Sequence, residues 1–260
     1  MVVLAALLGV VYAIGVRRLA RRDRHWPHRR TAAALGAAIA MSIAGLASDS
    51  TFFAHMVEHL LLGMVAPLLL ALAAPVTLML QAGGPRTTRI VRRALHWRPL
   101  VALTHPIVGL ALFGASLVAL YLSPLLEATQ RDGALHVAVH VHLVVVGSLL
   151  VMPLVGVDPI PRRTPFGARL LTVLVAVPFH AFLAVALLSA REPVAPDAYP
   201  DLADQRRAAA LLWASGELFT LAVAAIVFRA WLVAERREAA RHDRRLDHAL
   251  PAREAVSPES

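Results

Sequence analysis

The chain has 260 residues, 58% of them hydrophobic, and a mean hydropathy of +0.64, well above the ~45–50% apolar usage of soluble domains. It has no cysteine and no lysine, which excludes disulfides, thiolate metal sites and Cys-x-x-Cys redox chemistry, as well as a Schiff base on a lysine amine. The net charge of +9 therefore rests on arginine alone. In a polytopic membrane protein it reads as arginine-rich loops facing an anionic leaflet, and no basic–aromatic module points to nucleic acid.

Seven apolar segments follow one another, each near the ~20 residues that cross a bilayer. The first covers residues 1–16, MVVLAALLGVVYAIGV. It lacks a positively charged start and a small-residue cleavage site, so it reads as a reverse anchor rather than a signal peptide, and it leaves a start further upstream open. The second covers 31–47 and the third 52–80. The fourth covers 100–122, the fifth 134–155, the sixth 170–190 and the seventh 208–233. The expectation is an all-α, polytopic bundle of seven transmembrane helices over residues 1–233, followed by a charged cytoplasmic tail over 234–260.

Arginine bias orients it. The connections after segments one, three, five and seven hold 21 of the 26 arginines. The other side holds Arg131, Arg191, Arg206 and Arg207, and Arg229 lies near the inner end of segment seven. This predicts the N-terminus outside and the C-terminus in the cytoplasm. Pro67, Pro75, Pro106, Pro153 and Pro178 interrupt the apolar segments. Each removes a backbone donor and can kink its helix, so the bundle must satisfy the carbonyls set free.

On this topology the histidines sort into two groups. His55 and His59 open segment three on the outer side, and His136, His140 and His142 open segment five on the same side. His180 and Glu217 lie about 13–15 Å in from that side, at ~1.5 Å per residue. His55 and His59 are one turn apart and share a face, as do His136 and His140. His142 points about 160° away from His140, towards a second shell, another helix face or the headgroups. A single histidine near an interface is ordinarily an amphipathic edge residue. Five on the outer ends of two helices, with a histidine and a carboxylate at mid-depth, instead suggest a functional polar or metal site. His25, His28, His96, His242 and His248 sit in arginine-rich cytoplasmic segments and read as solvated. His105, before Pro106, is given no role.

Several chemistries fit these residues. Imidazole suits Zn, Cu, Fe and Ni, and thioethers from Met56 and Met64 would favour Cu(I). Read as H-x-x-E-H, the stretch HMVEH (residues 55–59) matches a zinc-peptidase motif with Glu58 as the base. It would need a third ligand, for which Glu127 is a candidate. His59 and His140 could alternatively flank a haem.

The sequence also resembles the CtaG-type cytochrome c oxidase assembly factors of bacteria over roughly residues 30–245. The resemblance is carried by FFAHMVEHLLLGMVAPLLLALAAPVTLML, by LHVAVHVHLVVVGSLLVMPLVGVDPIPRR with its Gly-x-Asp-Pro-x-Pro-Arg-Arg loop, and by VPFHAFLAVAL and LLWASGELFTLAV. It implies a seven-helix protein of the inner (plasma) membrane, surrounded by lipid, that assembles a haem–copper oxidase by supplying copper to one of its subunits. It implies no catalytic residues. The family's histidines map to His55, His59, His136, His140, His142 and His180 as metal ligands. Glu217 and Met56 are expected as supporting residues, with zinc and haem as the alternative cofactors. At the position of Glu58 the family commonly has an uncharged polar residue, which speaks against an obligatory base there. In the loop, Asp158 is expected to cap a helix or to pair with Arg162.

Overall fold

The computed structural model describes residues 1–47, 50–160 and 164–254, with side chains as far as Arg241. Among the described residues every regular element is a helix. In chain order these are α1 (Val2–Ala20), α2 (His28–Leu46), α3 (Phe52–Leu60), a π-helical turn (Leu61–Val65), α4 (Ala66–Ala73), α5 (Pro75–Ala82), α6 (Pro85–Leu95) and α7 (Arg98–Leu103). They continue with α8 (Pro106–Tyr121), α9 (Leu125–Arg131), α10 (Gly133–Val155), α11 (Phe166–Ser189) and α12 (Leu202–Glu254).

Among the described residues five helical stretches are long and apolar enough to cross a membrane: α1, the broken run Phe52–Ala82, α10, α11 and the first part of α12. A sixth results if α8 and α9, which meet at 68°, form one span. α2 has the length, at 19 residues, but His28, Arg29 and Arg30 in its first turn make it less apolar than these. Large apolar side chains point outward, with Leu174 68% and Leu218 71% exposed. Such a surface suits lipid rather than water. The chain is therefore a multi-pass helical bundle. α10 lies at its centre, packed against α4, α8, the π turn and α12; α11 runs along α12, and α1 and α2 cover α4 and α5. α12 continues without a break through residue 233.

The prolines act in different ways. Pro153 and Pro178 lie inside unbroken α10 and α11. Pro153 is in the last turn before Gly156, whose φ of +63° closes the helix. Pro67 follows the π turn. It has no N–H to give the carbonyl of Gly63, four residues back. That carbonyl faces Gly147 of α10 so closely that a Cβ at residue 147 would come within 2.3 Å of it and within 2.7 Å of Pro67 Cγ. Gly147 thus lets two helices of the core meet at the point where one lacks a hydrogen bond.

Pro75 does break its helix. Ala74 turns left-handed (φ 54°, ψ 56°) between α4 and α5. The polar groups exposed there find partners, as burial requires. The Tyr12 hydroxyl, which accepts from Trp26 Nε1 at 3.0 Å, donates to the Ala73 carbonyl at 2.9 Å. The buried Asp158 carboxylate accepts from the Val76 N–H (2.9 Å), the Thr77 N–H (2.7 Å) and the Thr77 hydroxyl (2.6 Å). Asp158 is therefore the cap of α5. Arg162 and Arg163 of the same loop lie outside the described residues, as do the side chains of His242 and His248.

Candidate metal centre

Two helix starts place the histidines. α3 begins at Thr51, whose hydroxyl accepts from the Ala54 N–H at 3.1 Å, while Asp204 of α12 accepts from the Phe53 N–H at 3.0 Å. α10 begins at Asp132, which accepts from the N–H groups of Ala134 (2.8 Å) and Leu135 (3.2 Å). Both ends are capped by oxygen acceptors, the usual way to satisfy orphaned N–H groups. Each helix then turns its histidine pair inward from the same end of the bundle.

The four rings make one cluster. Ring centroids are 4.0 Å apart for His55 and His59, 4.2 Å for His136 and His140, 5.5 Å for His55 and His136, and 5.3 Å for His59 and His140. His55, His59 and His140 are buried, and the His136 side chain keeps 20% of its surface exposed. His136 is thus the member nearest to solvent. Tyr199, from the loop between α11 and α12, covers the cluster with its ring 5.6 Å from His55. Gln205 holds that loop by accepting from the Val194 N–H and donating to the Leu187 carbonyl.

Glu58 lies in the same cluster. Its buried carboxylate is 3.7 Å from His140 Nε2 and 4.0 Å from His136 Nε2. Two groups of three potential ligand atoms result, each within 4.8 Å of one another: His55, His59 and His136, and Glu58, His136 and His140. His136 belongs to both. His136 Nε2 and His140 Nε2 approach to 2.9 Å, a contact that holds one proton between two lone pairs. A metal ion can take the place of that proton, and Glu58 supplies negative charge beside it.

Tyr121, at the end of α8, sets the tautomer of His59. Its hydroxyl lies 3.4 Å from Met56 Sδ and 2.7 Å from His59 Nδ1. A thioether has no proton to give, so the hydroxyl donates to sulfur. The bond to His59 is then donated by Nδ1–H, which leaves the lone pair on Nε2. His59 Nε2 is buried with no hydrogen-bond partner. A nitrogen held as acceptor by a bond to its ring partner is the usual state of a metal-ligating histidine.

Four of the expected residues lie elsewhere. His142 is exposed and donates to Ser116 Oγ at 2.8 Å, whose own proton goes to the Leu112 carbonyl. It faces α8 rather than the cluster. His180, on α11, is buried against Phe113 with ring centroids 5.7 Å apart, and Gly216 of α12 packs directly on it. Glu217, the next residue, is half-buried. Glu127, the candidate third ligand of a zinc site, instead accepts from the Asp197 N–H at 3.3 Å and lies 3.8 Å from Arg131. His59 and His140 meet edge to face, and His55 and His136 pack on their flanks.

Sequence reasoning did not find Tyr121, Tyr199 or the ligand position of Glu58. For Glu58 a signal was available, because it is one residue before His59 and three after His55, on the edge of the same face. Tyr121 is 62 residues from His59, and only the packing of α8 on α3 unites them.

Residues 10–234 match the family described as cytochrome c oxidase caa3 assembly factor (Caa3_CtaG). The uncharacterized proteins Mb0105 of Mycobacterium bovis and MT0111 of Mycobacterium tuberculosis are each 33% identical over 272 residues, covering 93% of this chain and 40% of their own length. The uncharacterized protein ML1998 of Mycobacterium leprae is 31% identical over 266 residues, with 94% of this chain and 40% of its own length covered. The chain thus spans about 40% of the length of the curated relatives it matches. No solved structure gives a significant match.

Proposed function

The chain belongs to the cytochrome c oxidase caa3 assembly factor family, and from that premise we propose that it binds copper at the His55, His59, His136, His140 and Glu58 cluster and passes it to a subunit of a haem–copper oxidase. The observation that carries the reading is the cluster itself: four imidazoles and one carboxylate at one end of a membrane bundle, all buried but the partly exposed His136, which is common to two sets of three donors. Intramembrane groups of this kind are costly to insert and mark functional sites.

In this reading seven helices span the bacterial plasma membrane, α2 being the seventh, with the N-terminus and the cluster on the outer side. The tail from residue 234 onward is cytoplasmic. Copper is cargo, so ligands that exchange are an advantage, because an ion held too tightly would not be released. The partly exposed His136 receives the ion first. The two donor sets let it change ligands one at a time, and Glu58 offsets its charge without covalent chemistry.

The test is His55→Ala/His59→Ala in cells that depend on the oxidase. The expected outcome is normal membrane abundance of this protein with lowered oxidase activity; unchanged activity would overturn the copper reading. A hydrolytic zinc site is the second reading, because three imidazoles with a neighbouring carboxylate are also a donor set for zinc-activated water. Glu58→Gln separates the two. A hydrolase would lose turnover, whereas a copper site keeps its imidazole ligands and binds more weakly.

A further inference from the structure

A second group of donors lies behind the cluster. Met56, His59 and Gly63 follow one another at spacings of three and four residues, on one face of α3 and the π turn, and Met64 lies next to Gly63. That face borders a small cavity closed on the far side by His180 and Phe113. About 10 Å³ of it is open to the centre of a water-sized sphere, room for a single small occupant.

Two observations point to what it holds. His180 Nε2 is buried with no hydrogen-bond partner, and so is His59 Nε2. His180 Nδ1 already lies 3.3 Å from the Ala176 carbonyl, to which it can only donate, so here too the lone pair falls on Nε2. Both imidazoles line the same cavity as Met56 and Met64, whose thioethers are soft donors. No carboxylate and no arginine lines it. The Born cost of burying an ion rises with the square of its charge, so a cavity whose lining holds no carboxylate favours a monovalent ion over a divalent one. Thioether with imidazole selects Cu(I).

We propose that His59, His180, Met56 and Met64 form an inner Cu(I) site, distinct from the outer cluster and linked to it by His59. His59 belongs both to the outer donor set and to the lining of the inner cavity, so the ion moves inward by exchanging His55 and His136 for His180 and the two sulfurs. No electron or proton transfer is required. The inference rests on the copper reading of the cluster, and its test separates the two.

Detergent-purified protein is loaded with Cu(I) under reducing conditions, and copper-edge X-ray absorption is measured for wild type, Met56→Leu/Met64→Leu and His180→Ala. Leucine conserves the methionine volume, which keeps the core packed. The expected result is sulfur in the wild-type copper shell, loss of that sulfur in the double-methionine variant with copper still bound through nitrogen, and reduced copper content in His180→Ala. A nitrogen-and-oxygen shell in wild type, unchanged in both variants, would overturn the inner site, leave the cluster reading intact and assign the cavity to water. No bound copper in any form would overturn both.

Discussion

Removing one hydroxyl group should weaken copper binding without changing the fold. In Tyr121→Phe the ring that packs beside Phe52 and His59 stays, with centroids at 6.1 and 5.8 Å, and only the oxygen is lost. That oxygen accepts the Nδ1–H of His59 at 2.7 Å and donates to Met56 Sδ at 3.4 Å. Without it the buried N–H has no acceptor, which costs about 1–3 kcal/mol. The metal-free ring can escape part of this by changing tautomer or rotating. The metal-bound ring cannot, because Nε2 is committed to the ion. The penalty therefore falls mainly on the bound state, and copper affinity should drop about 10–100-fold, the usual effect of losing a partner of a ligating histidine. Competition against a Cu(I) chelator, with wild type and variant side by side, measures it. An affinity within about twofold of wild type would refute the claim that Tyr121 sets the tautomer of His59, since that is far below the energy of one buried hydrogen bond.

Other substitutions separate the site from its scaffold. His142→Ala should leave copper content unchanged, because that ring bonds Ser116 and faces away; a fall in bound copper would show that it reaches the cluster. Gly147→Ala places a Cβ 2.3 Å from the Gly63 carbonyl, an overlap with backbone that should cost about 1–3 kcal/mol. Lower thermal stability in detergent is expected, and wild-type stability would show that α10 and the π turn can part freely. Asp158→Ala strips the acceptor from two N–H groups at the start of α5 and should destabilise by about 1–3 kcal/mol, while purified protein keeps its copper stoichiometry. Loss of copper in stably folded Asp158→Ala protein would tie the helix break to the metal site.

Much of the architecture was legible because it rests on short-range rules. Apolar runs placed the helices, and the i, i+4 spacing paired His55 with His59 and His136 with His140. The same periodicity turned His142 away from His140. What was not legible depends on helices meeting. The sequence marks Pro67 and Pro75 alike, yet one continues its helix and the other breaks it. The difference lies with Gly147, whose lack of a Cβ lets α10 pack closely on the Gly63 carbonyl, and with Tyr12 and Asp158, which serve the broken ends at Ala73 and Val76. Asp158 caps a helix by its contacts with Val76 and Thr77, 82 and 81 residues away in the chain, while the expected pairing with Arg162 lies outside the described residues. Glu58 was read through a peptidase motif, as a base or as nothing. Its position on the edge of the His55–His59 face points towards the cluster, but that its neighbours are the histidines of α10 follows only from the meeting of the two helices.

Copper content of the purified protein, wild type against His136→Ala/His140→Ala, tests the outer cluster most directly. These two residues belong to both outer donor sets between them and do not line the inner cavity. Copper bound in wild type and substantially lost in a variant that still folds and inserts is the predicted result. Equal copper in the two proteins, or none in either after loading under reducing conditions, would contradict a copper site at this cluster.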